Sequence, residues 1–192
     1  MIHKRKTEIK GSKLYTNGAI GFSGPPGTGK STIGKLVAKE LNIPFFDLDD
    51  LIAQEAGLKT TKEVIEKEGF PFFWKVENFC LKKVIQKKEK YVLSFGGTIC
   101  SPKNPYSKEN QALAKKLFTI CLLPSKDLSE SVKILWPRQH NNKRFTAEDP
   151  AKLEKRIKDR MPGYIKSADR IIYTYYSPVE KIVSIILKIL NH

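Results

Sequence analysis

Apolar residues come in short clusters whose spacing switches between two periods along the chain. Ala19–Ser23, Phe45–Leu48, Tyr91–Ser94, Leu117–Leu123 and Arg170–Tyr173 are runs too short for helices and are predicted to be five buried strands. Between them the period lengthens. Ser31–Leu41 carries Ile33, Leu36, Val37 and Leu41 at helical spacing. Asp50–Ala56, Thr61–Glu68, Phe72–Lys88, Ser107–Lys116, Ser125–Leu135, Pro150–Arg160 and Val179–Leu190 also read as helices, with Ser125 a candidate N-cap. Strands alternating with helices imply an α/β three-layer sandwich around a five-stranded parallel sheet, with ligands at the carboxyl ends of the strands. Two stretches lack either period. Residues 1–18 are polar and basic, an N-terminal extension with a turn at Asn17-Gly18 and a candidate edge strand at Ile9–Tyr15. Trp136–Thr146 is polar, basic and aperiodic, and predicts a lid over about residues 136–147 of a single domain, 19–192.

Composition narrows the class. With 192 residues, 40% hydrophobic and 29% charged, the chain suits one soluble globular domain. No apolar run is long enough to span a bilayer, and the basic start is not followed by the apolar stretch of a secretory signal. Cys80, Cys100 and Cys121 are odd in number and lack CxxC spacing, which argues against a disulfide framework or a zinc site. Free thiols fit a cytoplasmic protein, and a monomer is expected. The formal net charge is +15, yet only six of the 35 basic residues are Arg. Lysines scattered over the whole chain read as a solvated surface rather than a nucleic-acid interface, since base readers lean on the planar fork of Arg. Arg138, Arg144, Arg156, Arg160 and Arg170 fall in one window, where contacts to phosphate or carboxylate are expected.

The strongest motif is Gly24-Pro25-Pro26-Gly27-Thr28-Gly29-Lys30-Ser31, a complete G-x-x-x-x-G-K-[ST], with an apolar strand before it and an amphipathic helix after. Glycines let successive backbone N–H groups turn toward one anion, and the following helix presents its N-terminus. Gly27, Thr28, Gly29, Lys30, Ser31 and Thr32 are thus candidates for holding ATP, with Lys30 on the β- and γ-phosphates and Ser31 on Mg²⁺. No guanine-reading N-K-x-D pattern occurs, so adenine is the default base. Phe46-Asp47-Leu48-Asp49-Asp50 follows on the second strand, where alternation places Asp47 and Asp49 on one side. Beside a phosphate cradle, one carboxylate can serve Mg²⁺ and the other can orient an attacking hydroxyl. Asp50 fits best as the cap of the next helix.

With these motifs in order, the chain resembles the shikimate kinases, small P-loop kinases of the nucleoside-monophosphate-kinase fold. Asp47-Leu48-Asp49 is similar to the family's Asp-x-Asp, and Phe73-Trp74-Lys75-Val76-Glu77 to its Phe-Arg-x-x-Glu. Gly96-Gly97-Thr98 stands where the family has three glycines, Lys143-Arg144-Phe145 resembles the lid Arg-Pro, and Arg160–Tyr164 resembles the Arg-x-x-x-Tyr after the lid. The resemblance implies Ser31 and Asp47 for Mg²⁺, Asp49 as candidate base, and Lys30 and Arg144 against the transferring phosphoryl group. It implies Asp49, Gly96, Gly97, Thr98, Arg160 and position 74 for the acceptor. Three residues depart from the pattern. Trp74 replaces the arginine that clamps the substrate carboxylate, Thr98 replaces the third glycine, and Phe145 replaces the lid proline. Glu77, which would have held that arginine, needs another partner, with Lys75 and Arg160 the candidates.

The expected function is transfer of a phosphoryl group from MgATP to a small-molecule hydroxyl, with shikimate the leading acceptor. A nucleotide or another polyol is the alternative acceptor, although a nucleotide monophosphate would want a second arginine cluster before residue 138. A module that holds MgATP over a degraded acceptor pocket is the alternative outside catalysis.

Overall fold

A computed structural model gives the fold, and it describes residues 9–10, 15–16, 18–140, 149–175 and 177–191. Thirteen elements follow one another among the described residues: β1 (Ile9–Lys10), β2 (Ile20–Ser23), α1 (Lys30–Glu40), β3 (Phe45–Asp47), α2 (Leu48–Glu55), α3 (Thr61–Ile85), β4 (Val92–Ser94), α4 (Ser107–Ala114), β5 (Phe118–Leu123), α5 (Leu128–His140), α6 (Pro150–Ser167), β6 (Arg170–Tyr173) and α7 (Val179–Leu190). The sheet runs β1-β6-β5-β2-β4-β3. The five predicted strands pair in parallel, and β1 adds an antiparallel edge against β6 through Ile9↔Ile172 and Lys10↔Ile171. The expected edge strand therefore forms over two residues. The extension also touches the domain at Tyr15, whose ring meets Phe118 edge-on at 5.5 Å.

Alternation along the strands sorts side chains into two cores, one on each face. Ile20, Phe22, Val92, Phe118, Ile120, Leu122 and Ile172 meet α1 and α7. Leu93, Cys121, Leu123 and Ile171 point the other way, into a core with α2 and α3. Val132, Leu135, Leu153 and Ile157 form a third, small core between α5 and α6.

Several boundaries and caps differ from the sequence reading, each for a physical reason. The strand at 45–48 stops at Asp47, and Leu48 already belongs to α2. Asp47, not Asp50, caps α2, its side chain accepting from Asp49 N at 3.1 Å. The two helices expected at 61–68 and 72–88 run end to end as α3, broken at Gly69 (φ 77, ψ 171) just before Pro71. Helix α5 begins at Leu128, with Asp127 Oδ1 accepting from Glu130 N at 2.8 Å, so Asp127 does the capping expected of Ser125. It then runs through Pro137 to His140, five residues into the stretch expected to be lid, because buried Leu135 and Gln139 and the Trp136–His140 ring stack hold the last turns. Helix α6 likewise continues past Arg160 and through Pro162 to Ser167, anchored by the buried Tyr164. The rest of the expected lid, with Lys143, Arg144 and Phe145, lies outside the described residues.

Candidate active site

The loop between β2 and α1 is shaped by glycines at two points where no other residue fits. At Gly24 (φ 130) a Cβ would lie 2.2 Å from Leu122 O. Gly29 caps α1 in the left-handed region (φ 91), turning the chain so that the helix N-terminus faces the loop. Lys30 folds back over this crown and donates to Gly24 O at 2.9 Å and Pro25 O at 3.0 Å. Burial pulls its ammonium pKa down, against the opposing pull of Asp49 and Asp47. The Thr28 side chain turns inward to Pro25 O at 2.9 Å and does not line the cleft.

Ser31 Oγ donates to Asp47 Oδ2 at 2.5 Å. Two oxygen donors side by side at the foot of a phosphate cradle form the donor set that a hard cation such as Mg²⁺ takes, so the residues fit that ion. Asp49 reaches the same cleft by a route other than strand alternation. It sits in the first turn of α2, two residues beyond the cap, and its Oδ1 lies 2.7 Å from where a Cβ on Gly96 would be.

The cleft holds about 760 Å³. Gly27, Gly29, Lys30, Ser31, Thr32, Asp47, Asp49, Gly97, Thr98 and Arg160 all line it, as do Asp50 and an aromatic pair on α3, Phe70 and Phe73. Arg160 Nη1 donates to Gly97 O at 3.0 Å, and Tyr164 Oη donates to the same oxygen at 2.6 Å. Gly96 lies beneath the surface, between Asp49 and Glu77. Trp74 does not line the cleft. It packs against the core below α3, its ring 5.4 Å from that of Phe70 and its indole N–H buried with no acceptor among the described residues. Core packing therefore describes Trp74 better than a place in the acceptor wall.

Glu77 has found partners other than Lys75 or Arg160. Thr98 Oγ1 donates to its Oε1 and Asn104 Nδ2 to its Oε2 at 2.7 Å. Burial pushes its carboxyl up to about 8; Asp49 adds to the rise, while the Thr98 and Asn104 bonds and Arg160 oppose it.

Arg138 and Arg156 join Arg160 along the cleft, as the arginine window foreshadowed, whereas Arg170 lies over the Phe118 ring instead. Arg138 Nη1 reaches Gly27 O at 3.2 Å, Gln139 Nε2 holds Pro26 O at 2.8 Å, and Arg156 Nη2 donates to Gln139 Oε1 at 2.6 Å. Nothing local in the sequence marks Gln139 or Asn104, whose bonds to Pro26 O and to Glu77 join residues distant along the chain. The thiols of Cys80, Cys100 and Cys121 are buried and unpaired, and burial raises their pKa to about 11, 11 and 12, so they stay protonated. No helix among the described residues is long and apolar enough to cross a membrane.

Comparison with known proteins agrees with this geometry. The shikimate kinase family model matches residues 26–191. The shikimate kinase of Rhodococcus jostii is 44% identical over 78 residues, a match that spans 41% of this chain and just under half, 46%, of that relative. The shikimate kinase of Thermodesulfovibrio yellowstonii is 32% identical over 174 residues, 88% of this chain and 91% of that one. The crystal structure of the Aquifex aeolicus shikimate kinase superposes with a TM-score of 0.73 at 27% identity, covering 90% of this chain and 96% of that one. With a cradle, an Asp pair and an arginine in one cleft, and a family match running almost to its end, this chain belongs to the shikimate kinase family.

Proposed function

We propose that the protein transfers the γ-phosphoryl group of MgATP to a hydroxyl of shikimate, giving shikimate 3-phosphate and ADP. The observation that carries this reading is the convergence of Lys30, the Ser31–Asp47 pair, Asp49 and Arg160 on one cleft. ATP supplies the phosphoryl group. Lys30 leaves its two carbonyl partners for the β- and γ-phosphates, where its charge offsets the negative charge that builds up during transfer. Ser31 and Asp47 would hold Mg²⁺, which when bound would offset charge on the phosphates. Asp49 takes the proton of the acceptor hydroxyl as that oxygen bonds to the γ-phosphorus and the bond to the bridging oxygen breaks. Arg160 meets the acceptor carboxylate, and Gly97 and Thr98 border the same space.

A hollow of about 700 Å³ beside the cradle, lined by Pro137, Arg138 and Tyr175 among others, is where the adenine would rest. Arg144, on the segment beyond α5, is assigned to the transferring phosphoryl group. Hydrogen exchange of residues 141–147 that slows on adding MgATP supports a lid beyond α5, and unchanged exchange removes it. The oxygen donors, buried thiols and small-molecule cleft suit a cytoplasmic metabolic enzyme.

The test is ATP consumption with shikimate, related ring acids, nucleoside monophosphates and polyols as acceptors. One observation favours a second acceptor class. Position 74 brings no cation to the cleft, and Phe70 and Phe73 line its wall, so a ring or polyol without a carboxylate is the rival. Turnover of such an acceptor above shikimate selects the rival. MgATP binding with no turnover of any acceptor selects a binding module.

A further inference from the structure

The acceptor end of the cleft contains a buried polar cluster that has no part in the phosphoryl-transfer steps. Glu77, on α3, is 0% exposed, and both of its carboxyl oxygens are engaged, by Thr98 Oγ1 and Asn104 Nδ2. The Asn104 amide is held in one orientation. Its Oδ1 accepts from Tyr106 N at 2.9 Å, and its Nδ2 also reaches Thr98 O at 3.3 Å. Ser101 N donates to Thr98 O as well, at 2.9 Å. The cluster is thus a closed knot tying the loop after β4 to the middle of α3.

The knot lies directly beneath residues that face the acceptor. A Cβ on Gly96 would lie 2.7 Å from Asp49 Oδ1 and 3.2 Å from Glu77 Oε1, so the two carboxyls flank one glycine. The next carbonyl, Gly97 O, is the one that Arg160 and Tyr164 grip from α6. On its other side a Cβ at Gly97 would meet Pro26 Cγ at 2.9 Å, so the loop is wedged against the phosphate cradle too. Two anchors therefore hold the loop: α6 through Gly97, and α3 through Thr98.

We propose that Thr98 is a positioning residue for acceptor binding, its hydroxyl tying the 96–98 loop to Glu77 so that Asp49 and Arg160 face the acceptor together. In this chain a hydroxyl on the loop occupies the carboxylate that an arginine at position 74 would otherwise have held. The inference rests on the cleft being the shikimate site. It also explains how Glu77 can be buried without a cation at hydrogen-bond distance among the described residues. The titratable groups facing it are Asp49 from α2, Arg160 from α6 and Cys100 from the loop itself. A protonated Glu77 can donate to Thr98 Oγ1 while its other oxygen still accepts from Asn104. In that form it adds no second negative charge beside Asp49 where a carboxylate must enter.

The experiment compares T98V, which keeps the shape and loses the hydroxyl, with T98S, which keeps the hydroxyl. For T98V the shikimate KM should rise about tenfold while the ATP KM stays within about twofold, and T98S should recover most of the loss. In E77Q the amide can offer its carbonyl to Asn104 and its NH₂ to Thr98, copying the protonated acid. Its shikimate KM should therefore lack the rise expected of wild type above about pH 8. A T98V enzyme with the wild-type shikimate KM overturns the proposal, and so does one in which both KM values rise equally. A wild type that does not phosphorylate shikimate removes the functional reading instead. The anchor is then read from hydrogen exchange of residues 96–101: faster exchange in T98V than in T98S supports it, and equal exchange overturns it.

Discussion

The two ends of the cleft are built in opposite ways. The nucleotide end is mostly local: residues 24–31 supply the cradle, its cation and one oxygen of the candidate metal site, while Asp47 comes from the tip of β3, two strands away, and Arg138 and Gln139 of α5 brace the loop. The acceptor end is assembled from α2, α3, α6 and the loop after β4, which contribute Asp49, Glu77, Arg160 and Thr98. The nucleotide end keeps every residue its motif requires. The acceptor end carries Trp74 and Thr98 where the resemblance leads one to expect an arginine and a glycine, and Thr98 is bonded to Glu77. A site made of one loop tolerates little change, because each residue serves the same anion. A site made of four elements can exchange one partner for another if the buried groups stay satisfied.

The largest effect that would break this contrast lies at the nucleotide end. Lys30→Ala should lower kcat by at least about a hundredfold, since the cradle then lacks its cation where charge builds up. A melting curve that matches wild type would show that the loss is chemical. Full activity in this variant would sink the assignment of the cradle.

Arg160→Ala probes the acceptor end, and a smaller effect is expected there. Losing one charge-assisted hydrogen bond costs about 1.5–3 kcal/mol, or roughly tenfold to 150-fold. The loss should appear in the shikimate KM more than in kcat, because a carboxylate is held alike in ground and transition states. An ATP KM that rises as much as the shikimate KM would show instead that Arg160 supports the whole cleft through Gly97.

The same contrast decides what could be read from the sequence. The five parallel strands and the cradle were legible because both are local patterns, one of short apolar runs and one of glycine spacing. Asp49 was found by a wrong route. Strand alternation paired it with Asp47, whereas helix α2 begins at Leu48 and carries it into the cleft. The ends of α5 and α6 extend beyond the break that proline and polar residues forecast, because Leu135, Gln139 and Tyr164 in those turns are buried or bonded against groups outside their helices. The knot on Glu77 was illegible, since its partners lie 21 and 27 residues away and neither belongs to a motif that pairs with a carboxylate.

The charge on Glu77 gives a pH signature confined to the acceptor end. An unfolded glutamate titrates near about 4.3, and the folded one is pushed up to about 8. Between those values the folded chain holds one more proton than the unfolded chain. The contribution is therefore complete below the unfolded value and is lost as pH rises through the folded one, at no more than about 1.4 kcal/mol per pH unit. Denaturant unfolding should show wild type losing stability relative to E77Q as pH rises from 5 to 8 in about one-unit steps. Parallel pH profiles for the two proteins would mean that Glu77 is charged in the folded state.

The smallest effect, and the most selective, should come from W74R. An arginine at 74 would sit three residues before Glu77 on the same face of α3, close enough to draw its carboxylate away from Thr98. The new guanidinium could then face the acceptor carboxylate. Against that gain stand the loss of the Phe70–Trp74 ring contact and of the tryptophan's packing on the core. Alone, W74R should lower the shikimate KM by less than about tenfold and also lower the melting temperature. Combined with T98G, which restores the family's glycine and frees Glu77, it should lower KM further, although T98G by itself raises it. That reversal of sign is the point of the cycle, because independent sites would add. Additive effects would mean that positions 74 and 98 changed separately. A W74R enzyme that binds shikimate worse, with and without T98G, would mean that the aromatic wall serves a different acceptor.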